Sequence, residues 1–339
     1  MKYSLIPLLF CLLPACGQDA TSGGKWSITP VAKPVVTEGS FAGNADMSGG
    51  ATLDGTGILL ASNETRCAQI ARLTKDPWRL MAGEQIPLNP PQGADECDFE
   101  AVAVDPTTHF YYVLGSHGVS KKKGHARPEQ EALFRIPVDP ATKLPAPVQA
   151  TPPASVSLRA WLQRVPGIDE FVGQPLQHNG LSLEGLACRH GNLFIGCRSP
   201  HRNGEIAILE VDAAVLFSEP AAAWPLPTIH WLPLGKGLGV RDLAPVQNGF
   251  LVLAGDSGVV TTPKYPVSEN YTGDKEFSLF LWQPGKPENL NRIGNLPTAK
   301  ASAEGLIVLD ETPDIISILI LHDGAYNGGP VLYSLSKPR

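Results

Sequence analysis

Past its first fifteen residues, this 339-residue chain has no long apolar run. Nothing later in it therefore reads as a membrane-spanning helix, which needs ~20 apolar residues. Basic residues are not in excess: Lys plus Arg number 27 against 33 Asp plus Glu, a formal charge of −6. That balance lacks the electrostatic footprint of a nucleic-acid binder. Cysteine is sparse, with six in all and no Cys-x-x-Cys pair, so no zinc-ribbon spacing is present. Neither a Gly-x-Ser-x-Gly nucleophile elbow nor a His-Glu-x-x-His zinc motif occurs. Gly235-Lys236-Gly237-Leu238-Gly239 is glycine-rich but leads into a strand, which argues against a phosphate cradle at a helix start. No linker or charge run divides the middle of the chain, and Lys121-Lys122-Lys123 reads as a solvated loop tip.

The one early apolar run, Leu5 to Leu13, follows Lys2 and ends in Leu13-Pro14-Ala15-Cys16-Gly17. A short apolar stretch closed by a small residue and a cysteine looks like a bacterial lipoprotein signal over residues 1–15, with Cys16 lipidated. Gly17, rather than aspartate, favours the outer membrane, with the protein facing the periplasm. Loss of Lys2 would move the formal charge from −6 to −7. Residues 16–40 then read as a polar tether plus a strand, and 41–339 as a single domain. The expected membrane contact is the lipid alone, and the expected state is a monomer.

Gly and Pro punctuate short β-branched and aromatic runs, an all-β signature. These runs recur as units. Leu183-Glu184-Gly185-Leu186-Ala187 aligns with Phe99-Glu100-Ala101-Val102-Ala103 and with Ala303-Glu304-Gly305-Leu306-Ile307. Val240-Arg241-Asp242-Leu243-Ala244 fits with arginine in the glutamate's place, and Ser48-Gly49-Gly50-Ala51 fits without a charge. Each match precedes a second and a third strand. Antiparallel units of about 45–60 residues are the pattern of propeller blades. The count favours five. The 84-residue step from Glu100 to Glu184 implies either a helical insertion or a sixth, degenerate blade. Leu158, Trp161, Leu162 and Val165 predict a helix over Ser155–Val165, stopped by Pro166. The run Trp26 to Val36 is available to complete the last blade and close the ring.

In an antiparallel hairpin the start of one strand lies beside the end of the next. Glu184 should therefore meet Arg198, Glu100 His117, Arg241 Asp256, and Glu304 Asp323, with Asn63 and Glu64 holding the place in the first blade. If the first strand of each unit is innermost, these charges converge on one mouth of a central channel. Glu100, Glu184, Glu304, Asp256 and Asp323 are hard oxygen ligands suited to Ca²⁺ or Mg²⁺. His117, Arg198 and Arg241 are the candidate catalytic groups, able to grip a phosphate or carboxylate. Glu184 with Arg241 reads equally as a structural inter-blade pair. Asp98 is a second ligand or a turn starter. Cys67 and Cys97 could bridge adjacent blades, whereas Cys188 and Cys197 sit at opposite ends of one hairpin, too far apart to join.

Asp98-Phe99-Glu100, Gly115-Ser116-His117-Gly118, Leu183 to Ala187, Gly196 to Pro200, Gly239 to Ala244 and Ala303-Glu304-Gly305 resemble the bacterial secreted family catalogued as domain of unknown function 3616. The likeness runs from about Gly49 to Gly329, with Ala101 where that family often has glycine. It implies no activity. More distantly, the Glu-Gly strands look like those of phytase-like and calcium-dependent nucleotidase propellers. The expectation is a propeller lipoprotein acting as a divalent-metal-assisted hydrolase of a phosphate ester or similar anion, without an organic cofactor. The alternative is a non-enzymatic propeller that binds a small anionic ligand or an envelope protein.

Overall fold

The computed structural model describes residues 25–90, 92–93, 95–120, 124–147, 153–258, 276–285, 289–297 and 301–338. The segment around Cys16 and the Lys121–Lys123 run lie outside them.

Five antiparallel sheets form five blades. In the first, β3 (Met47–Thr52), β4 (Gly57–Ser62), β5 (Cys67–Thr74) and β6 (Arg79–Pro87) follow in order. The second has β7 (Phe99–Asp105), β8 (Phe110–Gly115), β9 (Ala132–Pro137) and β10 (Ala154–Ser157). The third has β11 (Ser182–Arg189), β12 (Asn192–Arg202), β13 (Glu205–Asp212) and β14 (Thr228–Leu232). The fourth has β15 (Leu238–Val246), β16 (Gly249–Asp256), β17 (Ser278–Trp282) and β18 (Leu290–Asn295). In the fifth, β19 (Ser302–Glu311), β20 (Ile315–Asp323) and β21 (Val331–Ser336) are completed by β1 (Ser27–Pro30). β1 pairs antiparallel with β21, Ser27 opposite Ser336. The N-terminal run thus closes the ring and covers an edge that would otherwise be free to pair with another chain. A short β2 (Val36–Glu38) then adds to β6 in parallel, which the sequence did not signal.

The first strand of each blade is innermost, and these five strands pack on one another around the axis. β7 is buried along its whole length and β11 along all but its last residue, as expected of strands covered on both faces. Crowding there explains the small residues. A Cβ on Gly185 would lie 2.6 Å from Cγ1 of Val240, and one on Gly49 would lie 2.7 Å from Cα of Ala101. Between the third and fourth blades, Phe194 packs on Phe250 with ring centroids 4.4 Å apart, and Trp282 stacks on Phe250. Each such buried large apolar side chain contributes about 1.5–3 kcal/mol.

The helical insertion is present but shorter than expected. Ala154–Ser157 pairs with β9 as the outer strand of its blade, leaving α1 only Arg159–Leu162. Leu158, Trp161, Leu162 and Val165 are still all buried. The helical spacing was therefore real, but Ser155–Ser157 went to an edge strand that offered backbone partners. A second helix, α2 (Ala213–Ser218), starts where Asp212 accepts the Ala214 N–H at 2.7 Å.

Candidate functional site at the channel mouth

The five inner strands share one irregularity. In each, the pairing with the second strand skips a residue: Ser48, Glu100, Glu184, Arg241 and Glu304. These are the repeat positions aligned in the sequence, and all five are buried. A bulge of this kind re-aims one side chain out of the alternation. The repeated charges are thereby turned toward the axis from four blades, with Ser48 at the same position in the first.

Four of the charges form a chain. Arg198 Nη1 donates to Glu184 Oε1 at 2.8 Å, and Arg241 Nη1 meets Glu184 Oε2 at 3.0 Å. Arg241 Nη2 donates to Glu304 Oε1. Arg198 Nη2 also donates to the Gly258 carbonyl at 2.7 Å. The chain links the third, fourth and fifth blades. Burial works against the Arg198 charge, but Glu184, Glu100 and Asp256 together hold its pKa above the ordinary value. For Arg241, burial and the neighbouring Arg198 outweigh the carboxylates and push it down. The Nε of each arginine is buried without a partner among the described residues.

Beside this chain lies a cavity of about 200 Å³. Its polar wall includes Asn63, Asp98, Glu100, Glu184, Arg198 and Asp323. Glu100 is only 9% exposed, yet no hydrogen bond joins its carboxyl to another described residue. Burial, then the charges of Asp98 and Glu184, raise its pKa well above the usual carboxylate range, with Arg241 and Arg198 opposing. Asp98 accepts from the Ser116 hydroxyl. Burial and Asp46 raise Asp323. Burial and Glu64 raise Asp46 in turn. The other stretch of the channel is apolar, a cavity of about 110 Å³ lined by residues such as Val102, Leu186, Leu243 and Ile307.

Glu100, Glu184, Arg198, Arg241, Glu304 and Asp323 are therefore gathered at one mouth. One expected member is not. His117 is wholly buried outside the cavity wall. Its Nδ1–H donates to the Gly115 carbonyl at 2.8 Å, and its Nε2 accepts the Leu158 N–H at 3.3 Å. The chain turns left-handed at His117, with φ 55°, so its neighbour Ser116 takes the place on the wall. Burial pushes the His117 pKa down to about 4, leaving it neutral and structural. Asp256 does not line the cavity but stands near Arg198, whose charge it supports, and it accepts the Gly258 N–H at 2.9 Å.

The expected metal set is not compact. Among the described residues, no three His, Cys, Asp or Glu side chains stand close enough to hold one ion. Glu184 gives both oxygens to arginines, and Glu304 gives one. The expected bridge between Cys67 and Cys97 is absent: both thiols are free, as are the buried Cys188 and Cys197. Cys67 Sγ instead faces Gln85 Oε1 at 3.7 Å.

Two residues with roles here carried no assigned role in the sequence. Asp242 fills the small-residue position after the bulge of the fourth blade. Its carboxyl accepts the N–H of Leu243 at 2.8 Å and of Leu306, on the fifth blade, at 2.7 Å. Burial raises its pKa and these backbone donors oppose the rise. Asp46 stands two residues before its bulge, as Asp98 does. That spacing was the available signal.

Among solved structures, the chain is similar to the PQQ-bound aldose sugar dehydrogenase of Streptomyces coelicolor, at 12% identity and TM-score 0.45, covering 92% of this chain and 98% of that one. It is also similar to an α-L-arabinofuranosidase of Podospora anserina, at 11% identity and TM-score 0.42, over 94% and 98% of the two chains. An exo-β-1,3-galactanase of Phanerochaete chrysosporium matches at 9% identity and TM-score 0.48, over 92% and 66%. Likeness at this level carries no argument about chemistry. No curated protein matches. The model of one protein family matches residues 133–328, which hold the third- and fourth-blade bulges and that of the fifth, and the chain belongs to that family, described as Protein of unknown function (DUF3616).

Proposed function

We propose that this chain is a ligand-binding propeller, held at the outer membrane through a lipid on Cys16, whose acidic channel mouth captures a small molecule. One observation carries this reading: Glu100, 9% exposed and with no hydrogen bond to another described residue, borders a cavity of about 200 Å³. A donor on a ligand in that cavity would give its carboxyl a hydrogen bond that no described residue supplies. The arginine chain beside it is the structural part of the mouth and holds three blades in register. The test is a thermal-shift screen of the pure protein against metal salts, nucleotides and envelope fragments, repeated on Glu100→Gln. A ligand that stabilises the wild type and not the variant supports the reading. A screen in which every stabilising ligand acts equally on both removes it.

A second reading is a hydrolase of a phosphate ester or similar anion assisted by Ca²⁺ or Mg²⁺. It is favoured by the presence of Arg198 on the same wall as Glu100, Asp98 and Asp323. No three acidic side chains among the described residues can enclose the ion, so Glu100 would hold it with water completing the shell, and Arg198 would neutralise developing negative charge. Turnover of generic phosphoesters that depends on Ca²⁺ or Mg²⁺ and falls in Glu100→Gln supports it. No turnover with either ion removes it.

A further inference from the structure

The mouth holds more acid than its arginines neutralise. Five carboxyl groups line the cavity: Asp98, Glu100, Glu184, Glu304 and Asp323. Among the described residues two guanidinium groups face them, Arg198 on the wall and Arg241 behind it, and both are committed to Glu184 or Glu304. Glu100 and Asp323 are left outside these pairs, with Asp46 close to Asp323. A bare anion entering here meets this surplus and is repelled.

The unsatisfied groups on the wall point the same way. Glu100 has no hydrogen-bond partner among the described residues, and the buried Oδ1 of Asn63 has none either. Both are acceptors. What they lack is a donor, and one with positive charge gains most, because charge-assisted hydrogen bonds are about twice as strong as neutral ones. A divalent metal needs several oxygens within about 2.6 Å of one point. No three carboxyls among the described residues meet that demand. An ammonium offers three donors and a guanidinium five, spread over a wider span. The cavity far exceeds the ~10–15 Å³ needed for a single water, so a small organic molecule fits.

We propose that the cavity takes a small organic cation, whose primary ammonium or guanidinium group lodges against Glu100 and Asn63. This rests on the reading of the mouth as a ligand site and names the ligand class. The buried Nε of Arg198 is a donor without a partner on the same wall, so an oxygen acceptor near the cationic group adds a contact.

The experiment is calorimetric titration of the full chain with agmatine, putrescine and ethanolamine. Glucose, inorganic phosphate and CaCl₂ are the comparison arms. The expected result is saturable binding of at least one amine. Glu100→Gln is expected to weaken it at least about tenfold, the weight of one lost charged hydrogen bond. Asn63→Leu should weaken it too, which keeps the test usable if the Glu100 variant does not fold. Binding of CaCl₂, phosphate or glucose in place of the amines, lost in Glu100→Gln, overturns the ligand class and leaves the mouth as a site. Amine binding that neither variant alters overturns the placement. No binding in any arm overturns both the class and the site.

Discussion

Replacing Arg241 with methionine removes the cation shared by Glu184 and Glu304 while keeping most of the side-chain volume. Glu184 retains Arg198 at 2.8 Å, so Glu304, 6% exposed, is the carboxylate left alone. Stranding one member of a buried pair costs about 3–5 kcal/mol. Glu304 borders the cavity and can be relieved there by water or by taking up a proton, which places the cost near the lower limit. At roughly 2.1 cal/mol/K of unfolding entropy per residue over about 300 residues, the melting temperature should fall by about 5 °C. Adding Glu304→Gln to Arg241→Met removes the stranded charge and leaves Arg198–Glu184 as a neutral pair, so at least half of the loss should return. The assay is thermal unfolding by circular dichroism, with urea titration as a second measure. An Arg241→Met melt within about 1 °C of wild type would refute the reasoning, as would a double variant no more stable than the single one.

His117 sets a pH window. Its folded pKa, about 4, lies below its ordinary 6.5, so stability is complete above pH 6.5 and falls as pH drops toward 4. The loss is at most about 3 kcal/mol. His117→Asn should flatten the melting-temperature profile over that interval, and an unchanged slope would sink the assignment. Cys67, half-buried, should react with a thiol reagent in the native protein. The buried Cys197, whose thiol burial pushes up to about 12, should react only after denaturation. Peptide mapping of the labelled sites decides this, and early labelling of Cys197 would contradict the fold. Deleting residues through Pro30 takes β1 from β21, so the truncated protein should melt lower and aggregate through the bared strand; light scattering equal to that of the full-length chain would count against ring closure by this strand. Cys16→Ser should move the protein from the membrane fraction to the soluble periplasm, and an unchanged distribution would dismiss the lipid anchor.

Much of the fold was legible because blade strands pair with their sequence neighbours. The five aligned units, at Gly49, Glu100, Glu184, Arg241 and Glu304, favoured five blades over six, and hairpin geometry placed Glu184 beside Arg198, as found. Legibility stopped where one residue's orientation mattered. The convergence of the repeated charges on one mouth was expected, but a period-two pattern cannot show which residue a bulge skips, so the bulge shared by Ser48, Glu100, Glu184, Arg241 and Glu304 was hidden. Gly115-Ser116-His117 looked like a histidine aimed at the mouth. A left-handed step at His117 sent it inward and put Ser116 there instead. At Ser155–Ser157 the helical spacing downstream masked an edge strand whose pairing is made with β9.

By itself the sequence determined the repeat, the all-β class and the recurrence of a charge at a fixed blade position, because these follow from local strand pairing and side-chain periodicity. Tertiary structure alone decided what the charges do. Glu184, Arg241 and Glu304 are separated by about sixty residues at each step, and the packing of the inner strands β11, β15 and β19 on one another brings them into one buried chain. Which carboxyl is left over depends on that packing, since charges in a low-dielectric interior must pair across blades or stay unsatisfied. Glu100 is left bordering the cavity without a hydrogen-bond partner among the described residues.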